Sequence, residues 1–103
     1  MFDLTGMTAL VTGASGGIGS AIARALAGQG ARLALSGSNE AKLDAFAGEM
    51  GGGHVALACD LSDAAAVDGL VPRAVEALGG KLDILVNNAG VTRDNLAMRM
   101  KDE

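Results

Sequence analysis

Short apolar runs alternate along this chain with segments in which apolar residues recur at the spacing of a helix. The runs with the length of buried strands are residues 7–11, 31–35, 54–59 and 82–86. Between the first two runs, Ile18, Ile22, Ala25 and Leu26 follow a helical period, and Gly30 stands where a left-handed residue often ends a helix. The pattern predicts a strand, a helix and a second strand, which together form one βαβ unit.

A second helix is predicted where Leu43, Phe46, Ala47 and Met50 recur at helical spacing, ahead of the glycines at 51–53. These four side chains lie on one face of such a helix. The glycine cluster is expected to end it before the third strand begins.

A third helix is expected to begin at Ser62 or Asp63, because either side chain can cap it. Its expected buried residues are Val67, Leu70, Val71, Ala74 and Leu78. Pro72 interrupts this pattern, and a proline inside a helix costs about 3 kcal/mol. We therefore expect a kink or a split near Val71.

The last segment, residues 91–103, is mixed in composition and is expected to begin another helix. Strands that alternate with helices are typical of a parallel sheet covered on both faces and joined by right-handed crossovers. The sequence therefore predicts a single α/β domain with a doubly wound parallel sheet, truncated after the fourth strand.

Composition and charge narrow the functional classes. Half of the residues are hydrophobic and 19% are charged, which suits a folded domain, and the only aromatic residues are Phe2 and Phe46. A net charge of −4 and the scarcity of aromatic residues argue against nucleic acid as a partner. Cys59 has no second cysteine to pair with, and we find neither a signal peptide nor an apolar run that would span a membrane. We expect a soluble cytoplasmic protein.

A glycine-rich loop joins the first strand to the first helix. Gly13 permits a turn with positive φ, Gly17 permits close approach of the backbone to a pyrophosphate, and Gly19 permits close packing of helix and sheet. The helix N-terminus that follows offers N–H groups and a positive dipole to phosphates. The alternative is a set of ordinary turns without a ligand. An ATP-binding Walker loop is excluded, because no lysine followed by serine or threonine ends the motif.

The loop Thr12-Gly-Ala-Ser-Gly-Gly-Ile-Gly19 resembles the TGxxxGxG motif of the short-chain dehydrogenases/reductases, and Asn87-Asn-Ala-Gly90 resembles their NNAG motif. Asp60 follows the third strand, where the family contacts adenine. Within the family the whole chain is similar to the 3-oxoacyl-[acyl-carrier-protein] reductases of bacterial fatty acid synthesis. The resemblance implies a Rossmann-type fold in which residues 1–103 are the N-terminal, dinucleotide-binding part of a single domain.

The resemblance also implies cofactor-binding roles for particular residues. Those expected to hold the phosphates and the adenosine ribose are Gly13, Ala14, Ser15, Gly16, Ile18 and Gly19. Asp60 and Leu61 would flank the adenine, and Asn87, Ala89 and Gly90 would lie beside the nicotinamide ribose. Asn87 would in addition tie the strand ends together. Turn formation is the alternative role for asparagine at this place.

The residues after the second strand are Ser36, Gly37, Ser38 and Asn39. A carboxylate at this place would bind the ribose 2′-OH of NAD, and its absence favours NADP(H), to which Ser15, Ser38 and Asn39 can donate hydrogen bonds. Members of the family that use NADP often carry arginine where this chain has Gly16 and Ser38. Glu40 lies beyond the strand in the first turn of the second helix, where the helix dipole explains it.

The family's catalytic residues are a serine, a tyrosine and a lysine, the last two in a YxxxK motif, and this chain contains no tyrosine. We therefore assign no catalytic residue, expect a fragment of a longer enzyme, and expect its fourth strand to be an unpaired edge. The intact enzyme is expected to be a homo-oligomer, a tetramer by resemblance, that acts on a substrate linked to acyl carrier protein. The alternatives are another short-chain reductase, acting on acetoacetyl-CoA or a small alcohol, and a non-catalytic NADP(H)-binding module.

Three further features have simpler explanations. Arg93, Arg99 and Lys101 form a basic cluster that can meet an acidic carrier protein or lie on a solvated helix face. Cys59 is expected to be a small buried hydrophobe. His54 has no metal-ligand partners in sequence, and no metal site is assigned.

Overall fold

The four strands that the hydrophobic pattern predicts are present, and helices connect them in sequence. The computed structural model describes residues 3–14, 16–51, 53–60 and 62–87, and the backbone of residues 97–100. The elements are, in chain order, β1 (Thr8–Thr12), α1 (Gly17–Gly28), β2 (Arg32–Gly37), α2 (Glu40–Met50), β3 (Val55–Ala58), α3 (Ala64–Asp68), α4 (Leu70–Ala77), β4 (Ile84–Asn87) and β5 (Ala97–Met100).

The strands form one sheet in the order β3-β2-β1-β4-β5, with β1 at its centre. β1, β2, β3 and β4 are parallel; in register, Val11 of β1 pairs with Leu35 of β2 and with Val86 of β4. A parallel sheet whose first strand lies between the second and the fourth has the Rossmann-type arrangement. The predicted fold class is confirmed.

Residues 97–100 differ from the prediction that the segment 91–103 begins another helix. Ala97–Met100 is a strand that pairs antiparallel with β4, with Ile84 opposite Met100 and Asn87 opposite Ala97. β4 is therefore not the unpaired edge that we expected. The physical reason is that the edge of β4 presents backbone N–H and C=O groups that need partners, and a returning segment supplies them.

Both faces of the sheet are buried, which explains why its strands are apolar at successive positions. One face packs Val11, Leu35 and Val86 against α1 and α2, whose buried members include Ala23 and Leu43. The other face packs β-strand residues against α4; its buried members are Leu10, Ala34, Cys59, Leu70, Ala74 and Leu78. The prediction that Cys59 is a buried hydrophobe is confirmed.

The predicted third helix is two helices, α3 and α4, separated by Gly69. Asp63 caps α3 by accepting hydrogen bonds from the N–H groups of Ala65 and Ala66. The split lies at Gly69, two residues before Val71, so Pro72 is in the first turn of α4. Proline is tolerated there because the N–H groups of the first turn make no hydrogen bond within the helix. The expected burial of Val71 is wrong: it is 38% exposed, because the break resets which residues of α4 face the sheet.

The amino-terminal ends of β1 and β4 are joined by Asp83. Its carboxylate accepts hydrogen bonds from the N–H of Thr8 at 2.9 Å and from the Thr8 hydroxyl at 3.3 Å, and it pairs with Lys81 at 3.0 Å. The Thr8 bond, followed by Lys81, lowers the pKa of Asp83. The side chain is 11% exposed, so this cluster fixes the register of neighbouring strands away from solvent.

His54 extends the pairing between β2 and β3 with a side-chain hydrogen bond. Its Nδ1 accepts a bond of 3.0 Å from the backbone N–H of Leu33. A ring nitrogen can accept only when it is unprotonated. Desolvation, with a smaller effect of Arg32, lowers the pKa of His54 below its ordinary value of about 6.5.

We expect stability to fall as the pH drops from 7.5 to 5.5. Because the folded-state pKa of His54 is lowered, its contribution is fully present above about pH 6.5 and is lost as the pH falls through that value toward the folded-state pKa. The expected loss is about 1 kcal/mol, the net value of one hydrogen bond. Urea unfolding at both pH values measures it.

The matched variant is His54→Asn, whose Oδ1 stands in for Nδ1 but does not titrate. It is expected to keep most of the stability at pH 7.5 and to show a smaller loss at pH 5.5. His54 is the only histidine of the chain, so no other imidazole masks the difference. Equal pH dependence in both proteins would contradict the assignment.

Candidate functional site

The glycine loop lies at the carboxyl edge of the parallel sheet, between β1 and α1. Gly13 has a φ of +66°, which confirms the predicted left-handed turn. Ala14 is buried, and its N–H donates a bond of 2.9 Å to the carbonyl of Ser36 on β2. The N–H of Gly16 donates back to the carbonyl of Gly13 at 3.2 Å. The loop is thus held to the end of β2 and folded on itself.

The N-terminus of α1 is arranged to receive an anion. Gly16 is the N-cap and offers no side-chain hydrogen bond, and the first turn contains no acidic residue. The first N–H groups of a helix have no intrahelical partner, and the helix dipole places partial positive charge there. Phosphates are the common ligands of such an end when a glycine loop precedes it.

The glycines of α1 differ in their surroundings. Gly19 is buried, as close packing of α1 on the sheet predicts. A Cβ on Gly17 would meet no atom of the described residues within 4 Å, so intramolecular packing does not require a glycine here. Glycine at a helical position costs about 0.5–1 kcal/mol relative to alanine. Close approach of a pyrophosphate to Gly17, which would account for a glycine here, stays a prediction. Ile18, between these two glycines, is 60% exposed in the first turn of α1.

Thr12 and Asn87 join the ends of β1 and β4 beside the loop. The Thr12 hydroxyl is 3.3 Å from the carbonyl of Val86 and 3.4 Å from Oδ1 of Asn87. The prediction that Asn87 ties strand ends together is confirmed. Thr12 was not predicted to have a role; its place at the end of β1, directly before Gly13 of the loop, is the signal that could have identified it.

The end of β2 carries no carboxylate. β2 ends at Gly37, exposed Ser38 follows, and Glu40 is the first residue of α2. Oδ1 of Asn39 accepts a bond of 3.1 Å from the N–H of Lys42 and caps α2, which leaves its amide NH₂ as the group that can donate to a ligand. The hydroxyl of Ser36, the residue of β2 before Gly37, is buried and has no hydrogen-bond partner among the described residues.

Asp60 follows β3 at the same edge of the sheet and is exposed. Its Oδ1 accepts bonds from the hydroxyl of Ser62 at 2.6 Å and from the N–H of Ser62 at 3.0 Å, and these bonds lower the pKa of Asp60. The carboxylate is therefore held in one orientation as an acceptor. The predicted site residues Ser15, Leu61, Ala89 and Gly90 lie outside the described residues.

The structure thus brings the loop, the end of β2, the start of the segment after β3 and the end of β4 to one edge of the sheet. In open α/β sheets, ligands bind in the crevice outside the carboxyl ends of the strands, where neighbouring connections leave on opposite faces. The described residues there offer backbone N–H groups, hydroxyls, the amide of Asn39 and the carboxylate of Asp60. The arrangement suits binding and orientation of a phosphate-bearing ligand.

The predicted basic cluster of Arg93, Arg99 and Lys101 lies mostly outside the described residues. Of the basic cluster, Arg93 and Lys101 lie outside the described residues, and for Arg99 only the backbone in β5 is described. Among the described residues, no helix is both long enough and apolar enough to cross a membrane.

Known proteins match the chain over nearly its whole length. The family model described as short chain dehydrogenase matches residues 7–103. The 3-oxoacyl-[acyl-carrier-protein] reductase FabG of Rickettsia bellii is 50% identical over 103 residues, which are 100% of this chain and 41% of that protein. The chain therefore spans about two fifths of the length of this relative.

Solved structures give the same result. The Pseudomonas aeruginosa RhlG/NADP active-site complex is 40% identical, with a TM-score of 0.78 over 88% of this chain and 37% of the other. The 3-ketoacyl-(acyl-carrier-protein) reductase from Brucella melitensis, complexed with NADH, is 38% identical, with a TM-score of 0.73 over 81% of this chain and 34% of the other.

Proposed function

The chain belongs to the short-chain dehydrogenase family, and from this we propose that its glycine loop binds the pyrophosphate of a nicotinamide dinucleotide. The observation that carries the proposal is the left-handed turn at Gly13, which leads into the uncapped, acid-free N-terminus of α1. Gly13, Ala14, Ser15, Gly16, Ile18 and Gly19 would hold the phosphates and the adenosine ribose. Asp60 and Leu61 would flank the adenine, and Asn87, Ala89 and Gly90 would lie beside the nicotinamide ribose.

The preferred cofactor in this proposal is NADP(H). β2 ends without the carboxylate that would accept hydrogen bonds from a 2′-OH and repel a 2′-phosphate. The exposed Ser38 hydroxyl and the amide of Asn39 lie directly after the strand and can donate to a phosphate. Related structures hold NADP in one case and NADH in another, so the preference is argued from these residues of the chain.

The proposed activity of the complete protein is reduction of 3-oxoacyl-[acyl-carrier-protein] to the 3-hydroxyacyl form in cytoplasmic fatty acid synthesis. When bound, the nicotinamide supplies the hydride. The described residues bind and orient: the loop holds the phosphates, and the tie between Thr12 and Asn87 fixes the strand end beside which the nicotinamide ribose would lie. The partner would be an acyl carrier protein, and the assembly a homo-oligomer such as a tetramer.

A second candidate is an NADP(H)-binding module without turnover. The observation that favours it is the absence of tyrosine from all 103 residues, so that the family's YxxxK motif has no counterpart among them. The gene sequence on the 3′ side of the Glu103 codon separates the two. A serine and a YxxxK motif in the same reading frame support the reductase, and a stop codon there supports the module.

The direct test is titration of the chain with NADPH and with NADH. We expect saturable binding of both, tighter for NADPH, with a rise in the unfolding temperature as ligand stabilises the native state. The chain has no tryptophan, so nicotinamide fluorescence is read without tryptophan emission. Binding of neither dinucleotide would refute the cofactor site, and tighter binding of NADH would refute the preference alone.

A further inference from the structure

An open groove runs between α1 and α2 on the outside of the fold. It is lined by Ser20, Arg24, Lys42, Ala45, Phe46 and Glu49. α1 follows β1 and α2 follows β2, so both helices begin at the carboxyl edge of the sheet. The Ser20 N–H donates to the carbonyl of Gly16 at 2.8 Å and its hydroxyl to the carbonyl of Gly17 at 3.1 Å. The end of the groove at Ser20 and Lys42 therefore adjoins the glycine loop.

The two cations of the groove are not equivalent. Arg24 pairs with Glu49 at 2.9 Å and lies over the ring of Phe46, 4.9 Å from its centre, so its charge is balanced within the groove. The ammonium of Lys42 has no ion-pair partner among the described residues, and Lys42 is exposed. On its own helix, Glu40 and Asp44 are two residues away and project from other faces. Lys42 therefore contributes an unbalanced positive charge on a flexible four-carbon stem.

Lys42 lies in the first turn of α2, the helix that follows the end of β2. The N–H of Lys42 is the group that the Asn39 side chain caps, so the residue belongs to the first turn of α2, which begins three residues after Gly37. In a dinucleotide fold, the residues after the second strand face the adenosine ribose, where a 2′-phosphate needs a cation. Among the described residues of that end of the groove, Lys42 is the cation without an anionic partner.

We propose that Lys42 recognises the 2′-phosphate of NADP(H) and so sets the preference for this cofactor over NAD(H). The inference rests on the proposed function, because it assigns a specificity-determining residue to the same site. Ser20 forms the opposite wall of the groove, and Arg24 stays in its pair with Glu49. In this proposal Lys42 replaces the arginine that family members using NADP often carry at the positions of Gly16 and Ser38.

The test measures binding of NADPH, NADH, 2′,5′-ADP and 5′-AMP to the 103-residue chain and to the Lys42→Met, Lys42→Arg and Lys42→Glu variants. Lys42→Met is expected to weaken NADPH and 2′,5′-ADP about tenfold or more, as loss of a charge-assisted bond predicts. NADH and 5′-AMP should change by less than about twofold. Lys42→Arg should restore the NADPH preference, and Lys42→Glu should favour NADH. The tenfold effect should shrink as the salt concentration rises.

The matched control is Lys81→Met, which removes the same charge at the opposite edge of the sheet, where Lys81 is 52% exposed and pairs with Asp83. It should leave the ratio of NADPH to NADH affinity unchanged. An unchanged ratio in Lys42→Met, or equal weakening of 5′-AMP and 2′,5′-ADP, would overturn the role of Lys42 and leave the cofactor site standing. Binding of no dinucleotide by the unaltered chain would overturn both proposals.

Discussion

Replacing Gly30 with alanine is expected to lower the free energy of unfolding by about 2–5 kcal/mol. Gly30 ends the turn after α1 with a φ of +103°, which residues with a Cβ rarely adopt. An added Cβ would lie 2.5 Å from Oγ1 of Thr5 and 3.0 and 3.1 Å from its backbone N and Cα. The hydroxyl can rotate away, but the backbone cannot, because the N–H of Leu4 is bonded to the carbonyl of Gln29 at 2.7 Å.

Gly28→Ala is the matched control for this prediction. Gly28 is the last residue of α1, its φ is not positive, and a Cβ there would meet no atom of the described residues within 4 Å. The same methyl group should therefore be neutral or stabilise the chain by up to about 1 kcal/mol. Urea unfolding of the three proteins gives the comparison. Similar unfolding midpoints for Gly30→Ala and Gly28→Ala would show that the close approach to Thr5 does not govern stability.

Replacing Gly17 with valine is expected to weaken dinucleotide binding by more than about 100-fold without loss of stability. Gly17 is the first residue of α1, and its Cβ would point into space that no described residue occupies, so the fold should tolerate the side chain. A bound pyrophosphate would occupy this space. Displacing it would break about two charge-assisted bonds to backbone N–H groups, each worth about 1.5–3 kcal/mol.

The control is Gly48→Val in α2, where a Cβ also meets no described atom within 4 Å. Because Gly48 lies within α2 and does not line the glycine loop, this variant should bind NADPH and NADH like the unaltered chain. Thermal unfolding without ligand should place both variants near the unaltered protein. Retained binding by Gly17→Val would refute the placement of the pyrophosphate at this helix end, and lost binding by Gly48→Val would show a nonspecific effect.

The elements that the sequence predicts well are those specified by local pattern. The apolar runs at 7–11 and 31–35 correspond to Thr8–Thr12 and Arg32–Gly37, with ends displaced by one or two residues. Burial on both faces makes such strands apolar at successive positions, so the signal is strong whatever their partners are. Strand ends depend on hydrogen bonds to neighbouring strands, which sequence pattern does not contain. The turn at Gly13 was predictable for a different reason, because glycine is the residue that adopts its conformation without strain.

The candidate site divides in the same way. The glycine loop and Asn87 could be predicted because each belongs to a short sequence motif. The absence of an acid after β2 could be predicted because the end of that strand is visible in the hydrophobic pattern. The bond between Thr12 and Asn87 and the groove at Lys42 bring together residues far apart in the chain, and no local pattern specifies them. From sequence alone, Lys42 cannot be distinguished from any other exposed lysine of a helix. The structure adds that Ser20 of α1 lines the same groove.

The sequence by itself therefore determined the α/β class, the glycine loop and the family, because periodicity, glycine conformation and motif spacing are properties of neighbouring residues. Only the tertiary structure decided that Ala97–Met100 pairs with β4, that Val71 faces solvent, and that His54 completes the bonding of Leu33. Each of these depends on which backbone groups and side chains meet across the sheet. Such contacts form between segments whose individual sequences are compatible with several partners, and the packing of the whole chain selects among them.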